Sequence, residues 1–300
     1  MTVSEAQEAS YTRLFQLKVA RVIAAQLIKA VAFMHARGYV HADLHLGNVL
    51  LKFPESIPEM PSDKLFDTFG SPVLEPVKII GNDKEQPLPV GIPSHIVIPA
   101  WFGTRSEDIK LHEASIILAD FGEAFTPLTE QRFYSNTPLT IRPPETRFEP
   151  EKPLSFASDI WTLGCSIWTI LGQRPLVDTF SFTDDYATRE QVDALGSLPQ
   201  DWLARWDARS RYFDSRGNLL DHTCKRRSLE VRFDDSIQLP RRDCGMEPVG
   251  DQEKIALLGM LRAMLAFSPE ERPTAVSLLE CEWMVKWALP DLCEADIAGP

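Results

Sequence analysis

The residues of this chain best placed to do chemistry fall in two short runs, His41-Ala42-Asp43-Leu44-His45-Leu46-Gly47-Asn48 and Asp120-Phe121-Gly122. Asp43 and Asp120 offer carboxylates and Asn48 an amide oxygen. Hard oxygen donors of this kind suit Mg²⁺, which takes one or two protein oxygens and fills its remaining positions with water or substrate phosphates. His41 and His45 are spaced i, i+4, which raises the question of zinc. The helical zinc motif needs Glu directly after the first His. Here Ala42 follows and Gly47 breaks any helix, so a metal held by the two histidines is not expected. Taken alone, an Asp and an Asn on a loop are usually solvated turn formers.

The elements around these runs can carry a site. Leu17, Ala20, Ala24, Leu27, Val31 and Met34 recur at helical spacing and predict a helix over 11–37, stopped by Gly38. Val49-Leu50-Leu51 reads as a small buried strand and Ile116-Ile117-Leu118-Ala119 as a second small strand. The first polar run therefore lies between a helix and a strand, and the second directly after a strand, where loops on a rigid scaffold carry function. Between the two strands, residues 53 to about 110 are crowded with proline and keep no helical period. They predict a long loop or insertion with short extended pieces near 77–80 and 96–98. Residues 156–171 are apolar on every face (Ile160, Trp161, Leu163, Ile167, Trp168, Ile170), the pattern of a helix in the middle of a core. Further helices are predicted near 187–195, 198–207, 251–266 and 275–287. Ser268-Pro269-Glu270-Glu271 has the form of a helix start. Residues 1–10 and 291–300 read as tails. Trp161, Trp168, Trp283 and Trp287 read as core or groove filling, since no basic groove accompanies them.

Composition narrows the class. The chain has 300 residues, 44% hydrophobic and 25% charged, as in ordinary globular proteins. Its net charge of −12 argues against a general grip on nucleic acid. Lys18, Arg21 and Lys29 interrupt the most apolar stretch, so no membrane span is expected. The N-terminus is not expected to be a signal peptide. Five cysteines, Cys165, Cys224, Cys244, Cys281 and Cys293, form no C-x-x-C pair and predict reduced thiols in the cytoplasm or nucleus.

The two runs, with three later ones, resemble the ordered motifs of eukaryotic protein kinases, H-R-D-L-x-x-x-N, D-F-G and A-P-E. The chain has His41 to Asn48, then Asp120-Phe121-Gly122, then Pro143-Pro144-Glu145. Ser158-Asp159-Ile160-Trp161 resembles the start of the family's central buried helix, and Glu271-Arg272-Pro273-Thr274 its last Arg-containing segment. Within the family it looks most like the fungal SR-protein kinases. A small residue, Ala42, precedes Asp43; 72 positions separate Asn48 from Asp120; and the segments 195–199 and 211–219 are similar. The resemblance implies a mainly α fold with a few short strands, the C-terminal lobe of a kinase (11–290) with a long insertion between the catalytic loop and D-F-G.

The resemblance also implies roles. Asp43 would accept the proton of a substrate Ser or Thr hydroxyl. Asn48 and Asp120 would hold the Mg²⁺ ions that bridge the phosphates of ATP. His45 stands where many of these kinases place a Lys that neutralises the γ-phosphate, and a nearby phosphate favours its protonated form. His41 would be structural, packed beneath Asp120. Asp159 would hold the catalytic-loop backbone, and Glu145 with Arg272 would form a buried ion pair. Outside this context Asp159 reads equally as a helix N-terminal acid, and Glu145 and Arg272 as surface charges. The implied substrate is a protein, a basic Arg/Ser-rich one among those the resemblance suggests, with no direct nucleic-acid partner. No G-x-G-x-x-G occurs, and about a dozen residues precede the first helix, too few for a five-stranded lobe. Expected alternatives are therefore a truncated kinase, a non-catalytic kinase-like binding module, or a small-molecule kinase of the aminoglycoside phosphotransferase type, whose H-x-D-L-H-x-G-N motif is similar to His41–Asn48. Ala42 cannot bind a phosphorylated loop as an Arg there would, so no switch of that kind is expected.

Overall fold

A helix that is apolar on all sides has no face to offer water, so it belongs at the centre of the core. In a computed structural model the helix Phe156–Leu171 has the bounds its pattern predicts, and Ile160, Ile167 and Ile170 are fully enclosed. Trp161, Trp168 and Trp283 are among the largest fully buried side chains. Side chains of this size bury roughly 150–250 Å² each and dominate core energetics. The residues described are 1–53, 59–79, 88–99, 101–178, 183–214, 216–220 and 226–297. Ile80, Ser215, Cys224 and the last three residues of the expected C-terminal tail lie outside them.

In chain order the elements are α1 (Val3–Glu8), α2 (Leu17–Ala36), β1 (Val49–Leu51), α3 (Ser62–Phe69), β2 (Leu74–Pro76), β3 (His95–Val97), β4 (Ile116–Leu118), α4 (Glu145–Phe148), α5 (Phe156–Leu171), α6 (Asp184–Leu195), α7 (Gln200–Ala204), α8 (Leu229–Phe233), α9 (Leu239–Asp243), α10 (Asp251–Met264), α11 (Ala275–Leu278) and α12 (Leu289–Ile297). Short 3₁₀ and π turns link several of them. The chain packs as two units, residues 2–52 with 104–300, and Met1 with 53–103. In the larger unit α2 lies against α5, α11 and α12. Antiparallel β1 and β4 pair Val49 with Leu118 and Leu51 with Ile116. In the smaller unit β2 and β3 pair antiparallel, and α3 buries none of its residues. No described helix is long and apolar enough to cross a membrane.

Three expectations need correction. Residues 1–10 are not a free tail. Thr2 and Glu5 form a reciprocal capping box, and α1 buries Val3, Ala6 and Gln7. The Gln7 amide donates to the carbonyls of Arg13 and Thr169, which ties the segment to α5. Residues 291–297 belong to α12, where Asp291 accepts a hydrogen bond from Arg21. The predicted helix over 11–37 begins only at Leu17, because Arg13 takes φ +60° and Tyr11 is almost fully exposed.

Two prolines sit inside helical runs. Pro240 follows the π turn Asp234–Gln238, and Pro290 follows the π turn Met284–Ala288. A widened turn tolerates both the missing N–H and the bulk of the ring.

Burial pushes the Cys165 thiol, inside α5, up to about 12, so it is a packing group rather than a nucleophile. Cys165, Cys244, Cys281 and Cys293 are all free.

Candidate active site

The catalytic-type loop is gripped from below by one carboxylate. Asp159, in the first turn of α5 and 1% exposed, accepts the backbone N–H of His41 at 2.7 Å and of Ala42 at 3.0 Å. His35 Nε2, from the last turn of α2, meets the same carboxylate at 2.9 Å. The N–H groups of an α5 first turn also favour a negative charge there. Val40 and Phe125 exchange backbone hydrogen bonds, and with Ala42 and Leu154 they make a small apolar cluster beneath the loop. Thr137, 1% exposed, donates its hydroxyl to the Ala42 carbonyl.

The loop then presents its polar groups in order. Asp43 N–H donates to His41 Nδ1 at 3.3 Å, and His41 Nε2 faces the Ala119 carbonyl at 3.1 Å. These two contacts place the His41 proton on Nε2. The ring also lies 5.2 Å from Phe121, so His41 bridges the two polar runs while being fully buried. The Asn48 amide nitrogen donates to the Asp43 carbonyl at 2.9 Å and reaches Asp43 Oδ2 at 3.5 Å. The oxygen is the end of that amide that remains to bind a cation. Asp43 Oδ1 is enclosed without a hydrogen-bond partner among the described residues. Ala119 N–H donates to the Asn48 carbonyl at 2.9 Å, so the β1–β4 ladder puts Asn48 and Asp120 at the same end. Asp120 itself is exposed and takes φ +61°, ψ 69°, a left-handed bend that non-glycine residues adopt only under constraint.

His45 is more closely determined than its sequence position suggests. Gly47 N–H donates to His45 Nδ1 at 3.1 Å, which leaves the ring proton on Nε2, 3.7 Å from Asp43 Oδ2. A Cβ on Gly47 would stand 2.8 Å from His45 Cε1. Glycine is required there because the imidazole lies on its backbone.

Away from the loop, Glu145 and Arg272 meet bidentately at 2.8 and 2.7 Å. Arg272 also donates to the carbonyls of Ala157, Ala266 and Phe267, so the fully buried guanidinium is saturated. Sequence reading missed two contributors. Nothing distinguishes His35 from its helical neighbours until Asp159 is placed. The role of Gly47 was signalled only by a glycine two residues after a histidine.

A different surface lies nearby. Phe33, Tyr39, Leu118 and Phe121 line an apolar hollow of about 600 Å³, and Phe33, Tyr39 and Phe121 are about half exposed.

A helical lobe whose buried helix carries an aspartate under a His-x-Asp loop, beside a two-stranded ladder ending in Asp-Phe-Gly, is the arrangement of the larger lobe of eukaryotic protein kinases. The chain is similar in sequence to proteins named as protein kinases. It is 26% identical over 270 residues to Serine/threonine-protein kinase AFC2 of Arabidopsis thaliana, covering 88% of this chain and 52% of that one. Serine/threonine-protein kinase AFC1 of the same plant is 26% identical over 263 residues, covering 87% and 48%. Dual specificity protein kinase lkh1 of Schizosaccharomyces pombe is 25% identical over 271 residues, covering 88% and 32%. The chain thus spans about half the length of the plant relatives. No protein-family model matches it.

Proposed function

We propose that the chain carries the substrate-side half of a Ser/Thr protein kinase of the SR-protein-kinase type. The observation that carries this reading is the Asp159 grip: one buried carboxylate holds two consecutive N–H groups of the loop that displays Asp43 and Asn48. A group meant to meet a substrate hydroxyl must be held to a fraction of an ångström.

In this reading Asp43 would take the proton of a Ser or Thr hydroxyl as its oxygen attacks the γ-phosphorus of ATP, the bond to the β–γ bridging oxygen breaks and ADP leaves. Asn48 and Asp120 would hold Mg²⁺, which would supply charge neutralisation on the phosphates. The fit rests on this chain's own atoms: the unpartnered Asp43 Oδ1, the spare oxygen of Asn48 and the exposed carboxylate of Asp120. His45 Nε2–H donates either to Asp43 or to the phosphate, and Glu145–Arg272 fixes the segment that receives substrate. The separate packing of 53–103 between β1 and β4 supports reading it as an insertion in the lobe, within residues 11–290. Protein substrates, Arg/Ser-rich ones among them, and a reducing cytoplasmic or nuclear setting complete the reading.

The test is transfer of labelled phosphate from Mg-ATP to an Arg/Ser-rich peptide. It is run with the chain as it stands and with a relative's small lobe fused ahead of it, because no glycine-rich loop occurs in the chain to cover the phosphates. Transfer is expected in the fusion, slow or none in the chain alone, and none in either once Asp43→Asn is introduced. Transfer that survives Asp43→Asn, or a folded fusion with none, would remove this function.

A further inference from the structure

The chain carries a net charge of −12, yet residues 205–227 hold seven of its 31 Lys and Arg against three Asp. Arg209, Arg216 and Arg226 converge on a cavity of about 530 Å³ between α6, α7 and the turn around Gly217. Among the described residues no Asp or Glu lines it. Two carboxylates close by, Asp214 and Asp193, are engaged elsewhere. Asp214 accepts from the N–H groups of Arg216 and Asn218 at 2.8 Å and from the Asn218 amide at 3.0 Å. Asp193 Oδ2 accepts from Arg232 at 2.9 Å and from the Arg227 N–H at 3.1 Å. Among the described residues none of the three guanidiniums forms a salt bridge; Arg226 reaches only the Asp193 carbonyl, at 3.4 Å. By contrast Arg205 and Arg227 in the same stretch do pair, with Glu151 and Asp235. Three cations gathered without a salt-bridge partner among the described residues repel one another and favour an anion. Trp206 and Phe213 add an apolar wall, and Gln200 a further amide.

We propose that this cavity docks a phosphorylated serine or threonine on a protein chain. A phosphomonoester brings close to two negative charges and three acceptor oxygens, and guanidinium forks match that geometry. The cavity is much larger than a phosphate group and lies in the range of ligand pockets, so flanking residues fit along the aromatic wall. The overall acidity of the chain disfavours a nucleic-acid backbone. The choice of a phosphoprotein rests on the kinase reading, since a kinase works among its own products; the anion site itself does not.

The experiment measures fluorescence anisotropy of a short labelled peptide, with Ser or phosphoserine at one position, titrated with the whole chain at low salt. The phosphopeptide is expected to bind at least about tenfold more tightly, a difference of about 1.4 kcal/mol. Arg216→Glu with Arg226→Glu, both at exposed positions, should abolish the difference, while Lys286→Glu, in a surface pair with Glu282, should leave it. Equal binding of the two peptides, or no effect of the double charge reversal, overturns the proposal. So does displacement of the phosphopeptide by an equal concentration of orthophosphate, or tighter binding of an RNA of the same charge. Docking in a chain whose fusion shows no Asp43-dependent transfer keeps the pocket and removes only the kinase reading. Transfer without docking does the reverse.

Discussion

The two packing units of this chain solve opposite problems. In the larger one, α5 buries 13 of its 16 residues, and its few polar side chains are put to use: Asp159 holds the loop and Ser158 reaches Glu145. In residues 53–103, α3 buries nothing, every residue of β2 and β3 is exposed, and no described side chain enters a salt bridge. Rigidity is concentrated where a loop must be aimed. The proline-rich stretch is spared that demand, and its sequence is correspondingly uninformative.

Hydrogen exchange tests this contrast most severely. Amides of Phe156–Leu171 should exchange only with global opening, and those of Ser62–Phe69 orders of magnitude faster. Comparable protection in the two helices would break the comparison. Within the larger unit, Arg272→Ala leaves Glu145 buried without a counter-charge and should cost about 3–5 kcal/mol, read as a large fall in melting temperature. An unchanged melting temperature would mean that the pair is not the clamp described. Gly47→Ala drives a methyl into the His45 ring and should cost about 1–3 kcal/mol. The ¹⁵N shifts of His45 should then lose the pattern of an accepting Nδ1.

Acid offers a finer probe. Burial pulls the Asp185 carboxyl upward, but hydrogen bonds from Arg147 at 2.5 Å and Trp206 at 2.9 Å outweigh it and leave the group below its ordinary value of 3.8. A carboxyl lowered by folding stabilises above its unfolded pKa and loses that contribution as pH falls through the folded one. Asp185→Asn should therefore lower the melting temperature at pH 7, and the two proteins should converge below 3.8. A constant gap at all pH values would deny the ionic contribution. The smallest effect belongs to the other unit. Val97→Thr, on exposed β3, should stay within about 0.5 kcal/mol of the parent, since surface substitutions away from special features do little. A larger loss would reveal packing on that face.

These contrasts also explain what was legible in the sequence. The bounds of α5 could be read because a helix surrounded by protein needs apolar residues everywhere, a signal that competing elements do not imitate. The residues Asp43, Asn48 and Asp120 stood out as hard donors in apolar settings, and β1 and β4 show how a ladder brings the last two to one end. Helix α1 was missed because six residues give less than two turns of periodicity, although Thr2-x-x-Glu5 was a visible capping box. Helix α12 was missed because Pro290 is a stop sign unless a π turn comes first. Helix α3 lies in a stretch where Pro61 and Gly70 bracket eight residues with no core to answer to. The Arg-lined cavity was hidden because its charges lie up to 17 positions apart in sequence and meet only when α7 and the Gly217 turn come together.

The bend at Ala42 gives the loop a mechanical character. Ala42 takes φ +64°, a conformation its Cβ opposes at a cost on the order of 1–2 kcal/mol. What keeps it there is the hold of Asp159 on its N–H and on that of its neighbour. The segment behaves like a drawn bowstring with its anchor in α5. Shortening the anchor's reach, as Asp159→Ala would, lets the string go slack, and Asp43 recoils although nothing touching it has been altered. Conversely, Ala42→Gly removes the tension without cutting the string, so a loop eased in this way should keep its aim while losing the stored pull.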